Sequence, residues 1–108
     1  MIDVIKCHDK AVPYERIVSF CLKWNIIEFS LFGSILRDDF RPDSDVDVLV
    51  VFAPHIHWRI AQQVEMKEEL GGVFGHEVDL VEKRLVEKSP NYLRRNDILN
   101  NRKLLYAA

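Results

Sequence analysis

The stretch at residues 45–52, Asp-Val-Asp-Val-Leu-Val-Val-Phe, constrains the chain more than any other. Its density of β-branched residues, bounded by Ser44 before it and Ala53-Pro54 after it, predicts a central strand. Successive side chains of a strand point to opposite faces, so Val46, Val48 and Val50 share one face and Asp45, Asp47, Leu49 and Val51 the other. Two carboxylates therefore stand side by side at one end of a strand that is otherwise apolar. Ordinary core does not tolerate that, and an Asp-rich turn capping a helix would not account for Asp47 inside the strand.

The flanking pattern alternates strands with helices. Residues 13–24 repeat apolar positions at helical spacing (Ile17, Phe20, Cys21, Trp24), with Asn25 as a left-handed stop. Residues 27–32 alternate as a strand, and residues 35–39 have room for a turn or two of helix. A second long helix is expected over residues 56–70, closed by Gly71-Gly72, then a third strand over residues 77–82 that carries Asp79. From Pro90 the chain reads as helical to Leu104, Leu105 and Tyr106, although Asn91, Asn96, Asn100 and Asn101 weaken that reading. The fold class is α/β (α+β): a small mixed sheet with helices packed against it, in a single domain over residues 1–108.

Composition narrows the function. Fifteen basic against 17 acidic residues give a net charge of -2, which offers no global attraction for a nucleic-acid backbone. No apolar stretch approaches the roughly 20 residues of a membrane span, and the N-terminus lacks a signal-peptide pattern, so a cytoplasmic location without membrane or direct nucleic-acid contact is expected. Cys7 and Cys21 have neither redox nor zinc spacing and read as buried or half-buried thiols. His55 and His57 read as surface histidines, and Trp58, Tyr92 and Tyr106 as core or interface aromatics. Residues 83–103 hold Lys83, Arg84, Lys88, Arg94, Arg95, Arg102 and Lys103 against only Glu87 and Asp97, a local excess that is either a solvated helix face or a surface for an acidic partner or ATP.

The chemistry comes from joint spacing. Phosphoryl and nucleotidyl transfer require a triphosphate held in line with its charge neutralised, and Mg²⁺ is held by one or two carboxylates together with substrate phosphates. Asp45 and Asp47 are candidate metal ligands. Gly33-Ser34, at a strand-to-helix turn, is a candidate phosphate cradle, because glycine lets the backbone approach closely. Arg37 is either a phosphate donor or an exposed cation. Asp79, on the next strand, is the candidate third carboxylate, a metal ligand that also helps activate the acceptor hydroxyl, with an exposed strand aspartate as the alternative. Ser44 is equally a turn residue.

Leu31-Phe32-Gly33-Ser34-Ile35-Leu36-Arg37, followed by Pro42-Asp43-Ser44-Asp45-Val46-Asp47-Val48-Leu49-Val50, resembles the signature of the DNA polymerase beta-like nucleotidyltransferase superfamily. More narrowly, it is similar to the minimal nucleotidyltransferases (MNT). The match at Gly33, Ser34, Asp45, Asp47 and Asp79 covers about residues 27–82 well and the two ends loosely; Asp38 stands where many relatives carry glycine. The resemblance implies a Mg²⁺-dependent, ATP-binding enzyme, with Asp45, Asp47 and Asp79 catalytic and metal-binding. Larger relatives add a helical part that binds the acceptor, for which a chain of this length has no room. The resemblance therefore further implies the antitoxin of a HEPN/MNT toxin-antitoxin pair of type VII kind, a hetero-oligomer that transfers AMP to a tyrosine of the HEPN toxin. A non-catalytic antitoxin that neutralises by binding, and the catalytic subunit of a two-component small-molecule nucleotidyltransferase, are the alternatives.

Overall fold

The computed structural model describes residues 4–7, 10–37 and 40–108, with side chains from Pro13 onward. Asp38 and its departure from the family pattern lie outside the described residues, as does the side chain of Cys7. The chain opens with an antiparallel hairpin, β1 (Val4–Cys7) and β2 (Lys10–Pro13). Helix α1 (Tyr14–Trp24) follows directly and ends where expected, at Asn25, whose φ of 57° allows its amide to close on the Cys21 carbonyl.

Four strands form the main sheet: β3 (Ile26–Phe32), β4 (Val46–Phe52), β5 (Val78–Glu82) and β6 (Lys103–Ala107), in the order β5-β4-β3-β6. The β4–β5 pair is parallel and the other two pairs antiparallel, so the sheet is mixed. A parallel pair needs a crossover between its strands. Helix α2 (Ile60–Phe74) supplies it.

The sheet is apolar on both faces, and each face has its own cover. Val46, Val48 and Val50 of β4 join Phe29, Leu31 and Val78 beneath Ile17, Phe20, Met66, Leu70 and Phe74 of α1 and α2. Trp58 packs against this core and donates from Nε1 to the Trp24 carbonyl at 3.0 Å. On the opposite face, Leu49 and Phe32 meet Val86 and Ile98, from α3 (Lys83–Glu87) and α4 (Tyr92–Asn100). Cys21 lies fully buried in the first core, and that burial pushes its thiol pKa up to about 12, as befits an inert packing group.

Two expected helices are corrected in extent. The second helix begins at Ile60 rather than residue 56, and it runs through Gly71-Gly72 to stop at Gly75, whose φ of 71° lets its amide reach the Gly71 carbonyl at 2.8 Å. Leu70 and Phe74, four apart and both buried, hold the helix across its glycines, so packing outweighs their low propensity. The C-terminal helix ends at Asn100, and Leu104, Leu105 and Tyr106 belong instead to β6. There the otherwise open edge of β3 takes a partner from Glu28↔Ala107 to Leu31↔Lys103.

Candidate functional site

Register places the site. Phe32, the last residue of β3, pairs with Asp47 of β4, so the turn that follows Phe32 must pass beside the Asp47 side chain. Gly33 makes that passage with a φ of 75°, a left-handed geometry that other residues adopt only at a cost. A methyl group there would collide with Oδ2 of Asp47 and come within 3.2 Å of its Cγ. The glycine is thus required twice, for its φ and for the space the carboxylate occupies. Ser34 continues into a short 3-10 turn, Gly33–Leu36, which ends with the Arg37 amide bonded to the Ser34 carbonyl at 2.9 Å.

On the other side of β4, Asp47 pairs in parallel register with Asp79 of β5. Paired residues of neighbouring strands point to the same face, so the two carboxylates stand together. Asp45 lies one residue before β4 and is exposed, as is Asp79, while Asp47 is half-buried. The electrostatic consequence falls on Asp47. Its pKa is raised, first by burial, then by the charges of Asp79 and Asp45, against the opposing pull of Arg94 and Arg37.

The alignment of β4 with β5 is fixed just outside the strands. Ser44 caps the turn ahead of Asp45, its Oγ accepting from the Arg41 amide at 3.0 Å, which makes it a turn residue. Its carbonyl accepts from Nδ1 of His76 at 2.9 Å, and the His76 ring lies 4.9 Å from that of Phe40. The Val46 amide donates to the Glu77 carbonyl at 2.9 Å. The loops that introduce the two acidic strands are therefore tied to each other. His76 and Phe40 carry no chemistry-bearing motif in the sequence, and their role becomes visible only when the loops meet.

Two cavities flank helix α4 on the acidic face. One, of about 290 Å³, is lined by Phe32, Gly33, Leu36, Arg37, Asp97, Ile98 and Asn101. The other, of about 180 Å³, lies toward β5, where Val81, Val86 and Ile98 meet Arg94. Of the basic run at residues 83–103, Arg84 pairs with Glu82 at 3.3 Å, Arg95 donates to the Ser89 carbonyl, and Arg102 stands 3.9 Å from Glu28. Arg94 is the member whose charge reaches the acidic cluster.

The donor set is all oxygen, which suits a hard divalent cation. Among the described residues no three His, Cys, Asp or Glu side chains form a ready-made cage for a metal ion. The neighbouring carboxylates fit an ion of the magnesium kind, which takes one or two carboxylates and fills its remaining positions with water and phosphate. A cation there would also relieve the mutual repulsion that acts on Asp47. His55 is exposed on a turn with a φ of 67°, His57 is exposed as well, and neither lies in this cluster. Among the described residues no helix is long and apolar enough to cross a membrane.

Comparison with known proteins bears on the family and the fold. The family model described as "Nucleotidyltransferase domain" matches residues 14–105. The "Putative protein adenylyltransferase MJ0435" of Methanocaldococcus jannaschii is 34% identical over 86 residues, which span 80% of this chain and 86% of that protein. Among solved structures, a toxin-antitoxin complex with AMP-PNP superposes with a TM-score of 0.65 at 20% identity, over 88% of this chain and 73% of that one. A complex of tri-AMPylated Shewanella oneidensis HEPN toxin with MNT antitoxin gives a TM-score of 0.60 at 18% identity, over 88% and 70% of the two chains. At such identities the two complexes establish the common fold.

Proposed function

We propose, from the premise that this chain belongs to the nucleotidyltransferase domain family, that it transfers AMP from ATP to a tyrosine hydroxyl of a HEPN-domain partner, as the antitoxin of a toxin-antitoxin pair. The observation that carries the reading is the closure of the Gly33 turn on Asp47, with Asp79 in register beside it. That arrangement joins a backbone able to approach phosphates with carboxylates able to hold a cation, and it leaves the third carboxylate, Asp79, exposed to solvent. The relatives support the donor and the partner: one carries the name "Putative protein adenylyltransferase", and one complex holds an AMPylated HEPN toxin.

The residues divide the work. Asp45 and Asp47 would hold magnesium, which supplies charge neutralisation to the triphosphate and polarises the α-phosphoryl group. The Gly33-Ser34 backbone and the Arg37 guanidinium bind phosphate oxygens. Asp79, exposed at the sheet margin, meets the incoming phenol and orients it, accepting its proton as the oxygen attacks the α-phosphorus. The new bond is O–P to the acceptor; the bond that breaks joins the α-phosphorus to the bridging oxygen, and pyrophosphate leaves with that oxygen.

The test is incubation with ATP labelled at the α-phosphate, magnesium and a HEPN-domain protein. Label should appear on a tyrosine of the partner and vanish with Asp47→Ala. No transfer by the wild-type chain, or undiminished transfer by the variant, overturns the reading. An Asp45→Ala/Asp47→Ala chain that still neutralises the toxin fully would favour a non-catalytic antitoxin.

A further inference from the structure

The proposed reaction gives no task to the basic run at residues 83–103, yet one member of it, Arg94, acts on Asp47 through its charge. Arg94 lies on α4 four residues before Ile98, so the two share a helix face. Ile98 is buried against Phe32 and Leu49, which fixes that face over the acidic side of the sheet. Leu49 is two residues beyond Asp47 on β4, and Val81 is two residues beyond Asp79 on β5. The cavity that Arg94 lines is walled by Ile98 and by Val81 of β5, two residues along from Asp79, and the charge of Arg94 reaches Asp47. Among the described residues the Arg94 guanidinium makes no hydrogen bond or ion pair, although its amide is capped by Asn91 at 3.2 Å. On the opposite flank of Ile98, the second cavity holds Arg37 beside Gly33. The acidic face is thus bracketed by two guanidinium groups that reach it from different elements.

We propose that Arg94 is a nucleotide-binding residue that grips the polyphosphate from the α4 side, opposite the Gly33 turn. A lone cation near three carboxylates is attracted to them, and a divalent cation bound by Asp45 and Asp47 cancels that attraction. The guanidinium is then drawn instead to phosphate oxygens, for which its planar fork is suited. The same side chain therefore opposes binding of the bare cation, by like-charge repulsion, and favours binding of the cation with a polyphosphate. A residue that only supported the fold would weaken both. This inference rests on the proposed reaction for its ligand, and deepens it by naming a contact from the C-terminal helix.

The opposed signs make the test. Affinity for Mn²⁺ alone, and for a non-hydrolysable ATP analogue with magnesium, is measured by calorimetry on the wild-type chain and on Arg94→Gln, Arg94→Lys and Lys88→Gln. Arg94→Gln should bind Mn²⁺ alone about threefold more tightly and the nucleotide complex about tenfold more weakly. Arg94→Lys, which keeps the charge but loses the fork, should keep the wild-type Mn²⁺ affinity and lose part of the nucleotide affinity. Lys88→Gln should match the wild type. Parallel loss of both affinities in Arg94→Gln, or no change in either, overturns the proposal while leaving the proposed reaction standing. A wild-type chain that binds no nucleotide complex overturns both.

Discussion

Replacing Gly33 by alanine separates two costs that the structure superimposes at one position. The first is conformational: at a φ of 75° an L residue is disfavoured by roughly 1–2 kcal/mol. The second is steric, since the added methyl would overlap Oδ2 of Asp47 and press on its Cγ at 3.2 Å. Overpacking of that kind costs about 1–3 kcal/mol when the neighbour can only partly yield. Together they predict a loss of about 2–5 kcal/mol in Gly33→Ala, which lowers Tm by on the order of 10–20 °C in a domain of this size. The second cost disappears when the carboxylate is removed. In Asp47→Ala the nearest remaining atom would be Cβ of residue 47, at 3.5 Å from the new methyl, an ordinary contact. Urea unfolding of the four chains of this cycle, followed by tryptophan fluorescence, measures the coupling. Trp24 and Trp58 stand edge to face with ring centroids 5.1 Å apart, so their emission reports loss of the core. Gly33→Ala should be milder in the Asp47→Ala background by about 1–3 kcal/mol. Additivity within about 0.5 kcal/mol would show that the turn does not close on Asp47.

Asp47→Asn should stabilise the fold near neutral pH while abolishing transfer. The sign follows from the raised pKa of Asp47: the native state holds that proton more tightly than the unfolded chain, whose pKa is near 3.8, so wild-type stability falls as pH rises from there through the native value. The gain should therefore shrink toward zero in melting curves taken below that pH, and a gain independent of pH would refute the assignment. Magnesium should raise the Tm of the wild type and not that of Asp47→Asn, because only the former loses its repulsion on binding. Leu105→Asp should destabilise by about 3–5 kcal/mol, since Leu105 is 7% exposed on β6, whereas Leu104→Asp, at a residue 50% exposed, should stay within about 0.5 kcal/mol. Equal effects in urea titrations would refute strand alternation at the C-terminus.

What the sequence made legible was local. The valines of β4 and the paired aspartates declare a strand and its acidic end by alternation alone, and Asn25 marks a helix end because few residues accept its φ. The end of α2 was misplaced because Gly71-Gly72 looks like a stop, and the reason it is not one lies in the contacts of Leu70 and Phe74 with another layer. Strand β6 was hidden for the same kind of reason. Leu104, Leu105 and Tyr106 are consecutive and apolar, a pattern that periodicity cannot assign, and only the open edge of β3 selects the extended form. The hairpin β1–β2 drew no expectation. At the candidate site, Gly33, Asp45, Asp47 and Asp79 stand out by spacing and Arg94 only as one member of a basic run, whereas the tie from His76 to the Ser44 carbonyl has no signal in the sequence because it joins loops remote from each other.

That division has a physical cause. A carboxylate cluster opposes its own assembly, so the strands that carry it must be brought together by contacts that owe nothing to the charges. Here those contacts surround the acids without including them. The valine face of β4 and Val78 of β5 are driven into the first core, while Leu49 and Phe32 enter the second beneath Val86 and Ile98. The His76–Ser44 bond and the Val46–Glu77 bond then hold the register. Burial of Asp47 and repulsion from Asp79 and Asp45 remain as the residue of that construction, and a divalent cation would relieve the repulsion. The same packing that gives the chain its fold therefore also sets the electrostatic demand of its site, with Arg94 and Arg37 moderating that demand from opposite flanks.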